Sequence, residues 1–310
     1  MNSPLNLYSR YIKNLHGQRV QKIPVDAGFT CPNRDGSKGF GGCTFCNNDS
    51  FSMGAKELSI KDQVQNGIAL YRRKFPKLEK FIVYFQSYSN TYKSVHELER
   101  IYLEALSIEG VIGIAIGTRP DCIDIEKVAL LQELAQSYDV TVEYGVESLS
   151  DETLKRVNRG HTVKDFEVAL DMTYGRGIKL CTHLILGFPW ETEVSLQRTC
   201  HKIQAYPLDF IKIHQLQVVK GTVMGTAYEK DPFHVINKEE YFKMLMEVIT
   251  HLDPKIVIQR LFSDYRPEYL ISKAWSESMS LLTSEFMHYL EFHQACQGSK
   301  RSNFKIVLPK

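Results

Sequence analysis

The sequence has no run of about 18 apolar residues able to cross a bilayer. It also lacks a leading segment with a basic end, a long apolar middle and a small-residue cleavage site. These absences argue against a membrane-spanning or secreted chain and set the expectation of a cytoplasmic protein with no membrane partner. A strong net charge is missing too. The 38 Lys and Arg residues nearly cancel the 36 Asp and Glu residues and leave +2, so no global field marks a nucleic-acid or membrane binder. No low-complexity segment and no short repeat occurs, which excludes arrays and solenoids. No appended RNA-binding module such as an OB fold is recognisable. What is present is 310 residues, 43% hydrophobic and 24% charged. That suffices for one large globular domain, with or without appendages, whose core needs no staples. Two local basic clusters stand out, one of Arg72, Arg73, Lys74, Lys77 and Lys80 and one of Lys300, Arg301, Lys305 and Lys310. Such blocks are commonly solvated faces or tails, and a patch for RNA phosphates is the other use. Cytosolic thiols stay reduced, so the seven cysteines point to metal or catalysis rather than disulfides.

Helical and strand periodicities alternate along the chain. Helices are expected at 60–75, 94–106, 123–136, 163–174, 191–205 and 238–252. Apolar strand-like runs fall at 81–86, 111–116, 140–146, 178–186 and 210–219, with a short extra strand at 256–261. Ser150 is a plausible helix cap, and Gly175 and Gly177 end the helix before them. Strands separated by helices of this length imply a parallel sheet, either doubly wound or a partial barrel, with chemistry at the carboxyl ends of the strands. The alternation divides the chain into an N-terminal segment (1–22), a core (23–261) and a C-terminal extension (262–310) with one helix over 276–294.

Cys31, Cys43 and Cys46 lie in one loop with glycines at 36, 39, 41 and 42, which let the chain fold round a compact group. Cys43 and Cys46 form a Cys-x-x-Cys, a spacing used by redox dithiols and by metal sites. A thioredoxin-like motif needs no third cysteine, and a structural zinc site wants a fourth ligand close by. No fourth cysteine follows until Cys122. A fully ligated [4Fe–4S] cluster takes four thiolates. Three thiolates leave one iron open to a small ligand that chelates through an amine and a carboxylate. Zinc and redox uses remain the alternatives.

The loop, with its Cys-x11-Cys-x2-Cys spacing inside Cys-Pro-Asn-Arg-Asp-Gly…Gly-Gly-Cys-Thr-Phe-Cys, resembles the bacterial radical S-adenosylmethionine (SAM) family of the YhcC/YtqA type, a relative of the radical SAM core of the Elongator catalytic subunit. The resemblance runs over essentially the whole chain, through Gly117–Cys122, Glu143–Ser148, Asn158–Thr162 and His183–Pro189. It implies an α/β fold, a partial (β/α)6 TIM-like barrel of the radical SAM type with a small C-terminal extension. It also implies a [4Fe–4S] cluster on Cys31, Cys43 and Cys46 with SAM on the open iron. The long cysteine spacing departs from the compact Cys-x3-Cys-x2-Cys of most radical SAM enzymes, and no acetyltransferase domain follows.

SAM contacts follow from the same likeness. Phe45 is placed near the adenine. Gln86 and Ser87 stand where the superfamily often carries a Gly-Gly-Glu-type motif for the methionine amine, although the glycines and acid are missing here. Glu147 is placed on the ribose hydroxyls, and Arg159, whose fork suits a carboxylate, on the methionine carboxylate. His183 is placed near the ribose, and Gly187 beneath the adenine. The plainer uses are loop packing for Phe45, a polar strand end for Gln86 and Ser87, a surface salt bridge for Glu147 and Arg159, and a satisfied core histidine for His183. Arg119 either binds substrate phosphate or braces the site. Cys122 reads best as a small buried hydrophobe. Lys212, His214, Gln217 and Lys220 are substrate candidates, and no residue is singled out as catalytic. The likeness to the Elongator core makes a modified uridine of tRNA the leading substrate, ahead of a small molecule or peptide. A flavodoxin or ferredoxin is the implied electron donor. A non-catalytic iron–sulfur or zinc protein is the reading from a different class.

Overall fold

In the computed structural model, which describes residues 3–50, 57–263, 266–272, 275 and 277–301, the strand–helix alternation becomes one parallel sheet. Its strands are β1 (Val20–Val25), β2 (Lys80–Phe85), β3 (Val111–Thr118), β4 (Asp139–Glu147), β5 (Lys179–Leu186), β6 (Phe210–Gln215) and β7 (Val257–Arg260). They lie side by side in chain order. Helix α1 (Tyr8–His16) precedes β1. The crossovers carry α2 (Ile60–Lys74), α3 (Val95–Leu106), α4 (Ile125–Leu134), α5 (Asp151–Arg156) with α6 (Val163–Thr173), α7 (Glu193–Ile203), and α8 (Val223–Lys230) with α9 (Lys238–His251). Helix α10 (Met279–Phe292) follows β7. No helix among the described residues is long and apolar enough to cross a membrane.

The sheet is curled into a half-barrel. Lys22 of β1 and Glu143 of β4 are three strand spacings apart, about 14 Å in a flat sheet. Their side chains nonetheless meet, with Lys22 Nζ 2.7 Å from Glu143 Oε1. Strand alternation sorts the two faces. Val83, Phe85, Ile114, Ile116 and Val142 point outward and pack with Leu98, Leu131, Phe166 and Leu245 of the helices in the main core. The inward set is polar: Glu143, His183 and Lys212 follow the opposite parity on β4, β5 and β6. Helix starts are fixed locally by capping boxes, Ser94 with Glu97, Thr162 with Asp165 and Asn237 with Glu240, each cap contributing about 1 kcal/mol. Ser150 caps α5 by accepting from the Thr153 amide, and Gly175 and Gly177 take the left-handed conformation after α6.

The short extra strand expected at 256–261 is present as β7, the seventh strand of the sheet. Two departures from the sequence-based expectation have physical causes. Strand β1 and helix α1 were not anticipated. β1 is an edge strand paired only with β2 and carries Pro24, which a central strand would not tolerate. It begins at Val20 and so straddles the 22/23 division. β6 stops at Gln215 rather than running to residue 219. There the chain leaves the sheet, and its amide groups turn to the C-terminal segment, Val218 N donating to Ser272 Oγ and Ile271 N to the Val218 carbonyl. Leu216, Val218 and Val219 are buried without being strand, and Lys220 and Gln217 fall outside β6. The helix expected over 276–294 is α10, with Ser276 outside the described residues, as are Lys305 and Lys310 of the second basic cluster. Phe286 and Leu290 of α10 join the main core.

The inward face of β3 is stripped to Gly113, Ala115 and Gly117, which leaves room inside the barrel. At Gly113 the constraint is also lateral, because a Cβ there would stand 2.1 Å from the Asp139 carbonyl oxygen. Gly113→Ala is therefore expected to destabilise the protein by about 1–3 kcal/mol, the usual range for overpacking. Urea unfolding followed by circular dichroism checks this through a lowered midpoint, and an unchanged midpoint would mean that β3 and β4 separate freely at that level.

Candidate active site at the carboxyl ends of the strands

The loop of residues 31–46 leaves β1 and is clamped over the carboxyl ends of the strands. Within it, Arg34 N bonds to the Cys31 carbonyl and Gly42 N to the Asn33 carbonyl. Outside it, Asn158 Nδ2 donates to the Gly42 carbonyl at 3.0 Å, Asn33 Nδ2 donates to the Asn158 carbonyl, and Thr44 N bonds to the Val157 carbonyl. Gly42 permits this closure. It has φ of 81°, and a Cβ on it would meet Arg34 Nε at 2.8 Å. Cys31, Cys43 and Cys46 thereby line one cavity together with Phe45, Glu147 and Arg159.

Each cysteine has an arginine. Arg159 Nη1 lies 3.4 Å from Cys43 Sγ and Arg119 Nη1 lies 4.0 Å from Cys31 Sγ. Arg34 is held on the Cys46 carbonyl at 2.9 Å and faces the Cys46 thiol. Burial works against the Arg159 charge, yet Cys43 and Glu147 outweigh it and leave the guanidinium more basic than usual. Burial and the neighbouring Cys43 push the Cys46 thiol up to about 11, against the pull of Arg34 and Arg159. Thiolates here need compensating positive charge, and three guanidinium groups supply it.

The spacing of the thiols bears on what they can hold. Around a single tetrahedral zinc with Zn–S of about 2.3 Å, sulfur atoms would stand roughly 3.8 Å apart. Among the described residues, the three cysteine sulfurs do not all fall within 4.8 Å of one another. The three sulfurs are therefore not already gathered round a single ion. A tight group does occur deeper, at Glu143, Cys181 and His183. Both Glu143 oxygens there already carry lysine ammonium groups, Lys22 on one and Lys212 on the other, so the protein supplies its own cations at that point.

The structure brings together most of the residues singled out from sequence. Glu147 and Arg159 line the cavity 3.6 Å apart. Arg159 Nη2 donates to the Gly145 carbonyl, and its buried Nε has no partner. Glu147 reaches this place through a register shift between Gly145 and Glu147 and a left-handed backbone, φ 72°. Tyr88 (φ 64°) lines the same cavity and Asn158 (φ 53°) precedes Arg159, so among the described residues three of the four non-glycine positions with positive φ border the site. Strain of this kind persists where surrounding structure over-determines it. Phe45 packs on Phe188, ring centroids 6.1 Å apart. Gln86 and His183 also line the cavity. Ser87 and Gly187 are not among the lining residues. Ser87 is buried beside them, and Gly187 turns the chain at φ 95° against Ile236. Arg119 is a brace: it is 1% exposed, forks onto Asp121 at 2.9 and 2.8 Å and donates to the Arg159 carbonyl. Cys122 is buried and is not among the residues that line the cavity.

Lys212 and His214 face the cavity, where sequence reasoning had left them as unassigned substrate candidates. Glu143, Lys22, Arg34 and Arg260 had no such assignment. Glu143 is fully buried, with His183 Nε2 3.0 Å from Oε2. Burial disfavours its charge, but Lys212, Lys22 and His183 overcome this and hold it well below the usual carboxylate range. Burial lowers Lys212 to about 8 in spite of Glu143. Glu143 was legible in principle, being a lone acid of inward parity in an apolar strand, like Glu147.

Comparison with known proteins agrees with this geometry. The profile of the Radical SAM superfamily matches residues 31–203, and that of the Radical_SAM C-terminal domain matches 208–288. Protein YhcC of Escherichia coli K12 is 35% identical over 297 residues, which cover 95% of this chain and 94% of that protein. A tRNA uridine(34) acetyltransferase of Dehalococcoides mccartyi is 26% identical over 171 residues, 54% of this chain and 36% of that one. An N-terminally truncated archaeal Elp3 from Methanocaldococcus infernus superposes with a TM-score of 0.70 at 17% identity, over 90% of this chain and 64% of that chain. The half-barrel, the cysteine loop and these matches together place the chain in the radical SAM superfamily, within the family that includes YhcC and YtqA.

Proposed function

We propose that the protein binds a [4Fe–4S] cluster through Cys31, Cys43 and Cys46, holds SAM against its open iron, and tailors a modified uridine side chain in tRNA. The observation that carries the first part is the cavity itself: three thiols brought together by one loop, each with its arginine, beside an acid–arginine pair with an unpartnered guanidinium nitrogen. When bound, the cluster and SAM supply a 5′-deoxyadenosyl radical able to take a hydrogen atom from an unactivated carbon. The chain's own contribution is placement. Arg159, tethered by the Gly145 carbonyl and Glu147, offers its free Nε and the rest of its fork to a carboxylate. Glu147 offers a hydrogen-bond acceptor to ribose hydroxyls. The Phe45–Phe188 pair gives an apolar wall suited to an adenine. The loop clamped by Asn158 covers the cysteine end of the cavity and shields it from water. An external one-electron donor of the flavodoxin or ferredoxin class completes the requirements.

The tRNA substrate is supported by the match to a tRNA uridine(34) acetyltransferase and by the basic face at the end of α2. Arg72, Arg73, Lys74 and Lys77 are exposed there, and Tyr71 of the same helix lines the cavity that opens beside β1. A basic surface next to a cavity mouth fits a phosphate backbone with one nucleoside reaching inward.

Anaerobically purified protein is expected to be brown, to carry near four irons per chain and to form 5′-deoxyadenosine from SAM under reductant. Cys46→Ala is expected to lose iron while keeping its helical circular dichroism, because the later strands do not depend on the loop. Colourless protein with one zinc sinks the proposal. Arg159→Ala should keep most of its iron, bind SAM about 10–100-fold more weakly on losing charge-assisted hydrogen bonds, and shift the cluster midpoint potential to more negative values, since a cation beside a thiolate favours the reduced state. Equilibrium dialysis with SAM and an EPR-monitored redox titration read these two effects, and unchanged SAM affinity removes the carboxylate role. For the substrate, modified nucleosides of bulk tRNA from a deletion strain are expected to differ from wild type. An identical profile moves the reaction to a small molecule or peptide.

A further inference from the structure

We infer that the end of the cavity away from the cysteines is an anion subsite, reached through the open seam between β1 and β7, that anchors a carboxylate or phosphate group of the substrate. It rests on the function proposed above in one respect, that substrate and cysteines share this cavity, and it does not depend on tRNA.

Two cavities join inside the half-barrel. The one under the cysteine loop and the one opening at the seam share Tyr84, Gln86, Lys212 and Arg260 as walls. The seam cavity is walled by Lys13, Arg19, Lys22, Lys212 and Arg260, with no acid among its described lining residues. Lys13 and Arg19 are exposed at the mouth and the other three stand inside. Among the described residues the one carboxylate at the junction is Glu143, and its oxygens are already taken by Lys22 at 2.7 Å, by Lys212 and by His183 at 3.0 Å. Lys22, Lys212 and Arg260 against Glu143 leave a surplus of positive charge. A cluster serving only to hold strands together would close its charge, since buried unpaired ions are costly.

Two groups at the junction are uncommitted. Arg260 has no ion pair or hydrogen bond to the described residues, and buried His214 Nε2 has no partner. A register irregularity between β6 and β7 sets Arg260 opposite Lys212, where regular pairing would have put Gln259. A guanidinium beside an ammonium is the donor set that recognises carboxylate and phosphate in a two-pronged fashion. The cationic mouth raises the local concentration of such a ligand. A substrate anchored there has its remaining atoms directed along the cavity toward Cys31, Cys43 and Cys46. Glu143 fixes the two lysines and keeps the subsite from being an unshielded cation cluster.

Isothermal titration calorimetry on reconstituted holoprotein, with saturating SAM and no reductant, tests this with inorganic phosphate and succinate as separate probes. Binding of at least one probe is expected, and which one binds tells phosphate from carboxylate. Arg260→Gln should weaken that binding at least tenfold and Arg260→Lys, which keeps the charge but not the fork, should retain a larger share of it, whereas Lys230→Gln, on the exposed end of α8, should stay within about threefold. Loss in the Gln variant with retention in the Lys variant cannot come from misfolding. Should Arg260→Gln lose its iron, Lys22→Gln replaces it under the same criterion. No heat from either probe, or equal affinity in wild type and the Gln variant, overturns the subsite. SAM affinity and 5′-deoxyadenosine formation are measured separately on the wild type. Their failure removes the proposed reaction and leaves the anion titration readable, and failure of the titration with SAM cleavage intact removes the subsite alone.

Discussion

One buried carboxylate organises the interior of the half-barrel. Glu143, in the middle of β4, receives Lys22 from β1, Lys212 from β6 and His183 from β5. These contacts draw side chains of distant strands to one point and so match the curl of the sheet. They are not the cheapest way to do it. A buried ion cluster roughly breaks even against well-packed apolar residues of the same volume, and removing one partner alone costs several kcal/mol. The helix-facing side of the same strands shows that apolar packing was available. The polar interior is better understood as chemistry kept at the expense of stability, with β3 reduced to small residues to leave the space.

The cavity is polarised along its length. At the loop end, sulfur atoms that become anionic on binding metal are matched by Arg34, Arg119 and Arg159. Arg119 in turn leans on Asp121, which also takes Lys38 at 2.6 Å. Burial resists the Asp121 charge, but Arg119 and Lys38 lower its pKa to about 2. Arg119 and, through its backbone carbonyl, Arg159 are thus fixed by a charge network that stays intact at any physiological pH. They need not reorganise when negative charge arrives, which is what electrostatic preorganisation requires.

Much of this was legible in the sequence. Strands β2 to β5 and the helices between them follow from apolar periodicity and caps such as Ser94 and Asn237. The three cysteines follow from their spacing. The Glu147–Arg159 pair, drawn from a family likeness, meets in space. What was not legible depends on distance in the chain or on local irregularity. β1 hid because an edge strand with Pro24 and an inward Lys22 carries no alternating apolar signal. Arg260 hid because a register shift turned it inward, and parity alone gives the wrong face. Arg34 hid because its role exists only once the loop folds back on Cys46. The end of β6 was overread because Leu216, Val218 and Val219 are buried by a neighbouring segment rather than by the sheet, and hydrophobicity does not tell the two apart.

Those irregularities coincide with the site. The β4–β5 shift carries Glu147, the β6–β7 shift carries Arg260, and left-handed backbone holds Tyr88, Glu147 and the residue before Arg159. A regular parallel strand can present inward side chains only every second residue, at fixed depth. A ligand that must touch the cysteines at one end and a cation at the other needs contacts at depths the pleat does not offer. Bulges and positive-φ residues supply them, each at a local cost that a purely structural barrel would have no reason to retain. At the β4–β5 and β6–β7 shifts the side chains displaced are the charged Glu147 and Arg260, which face the cavity beside the polar set that the regular pleat already presents.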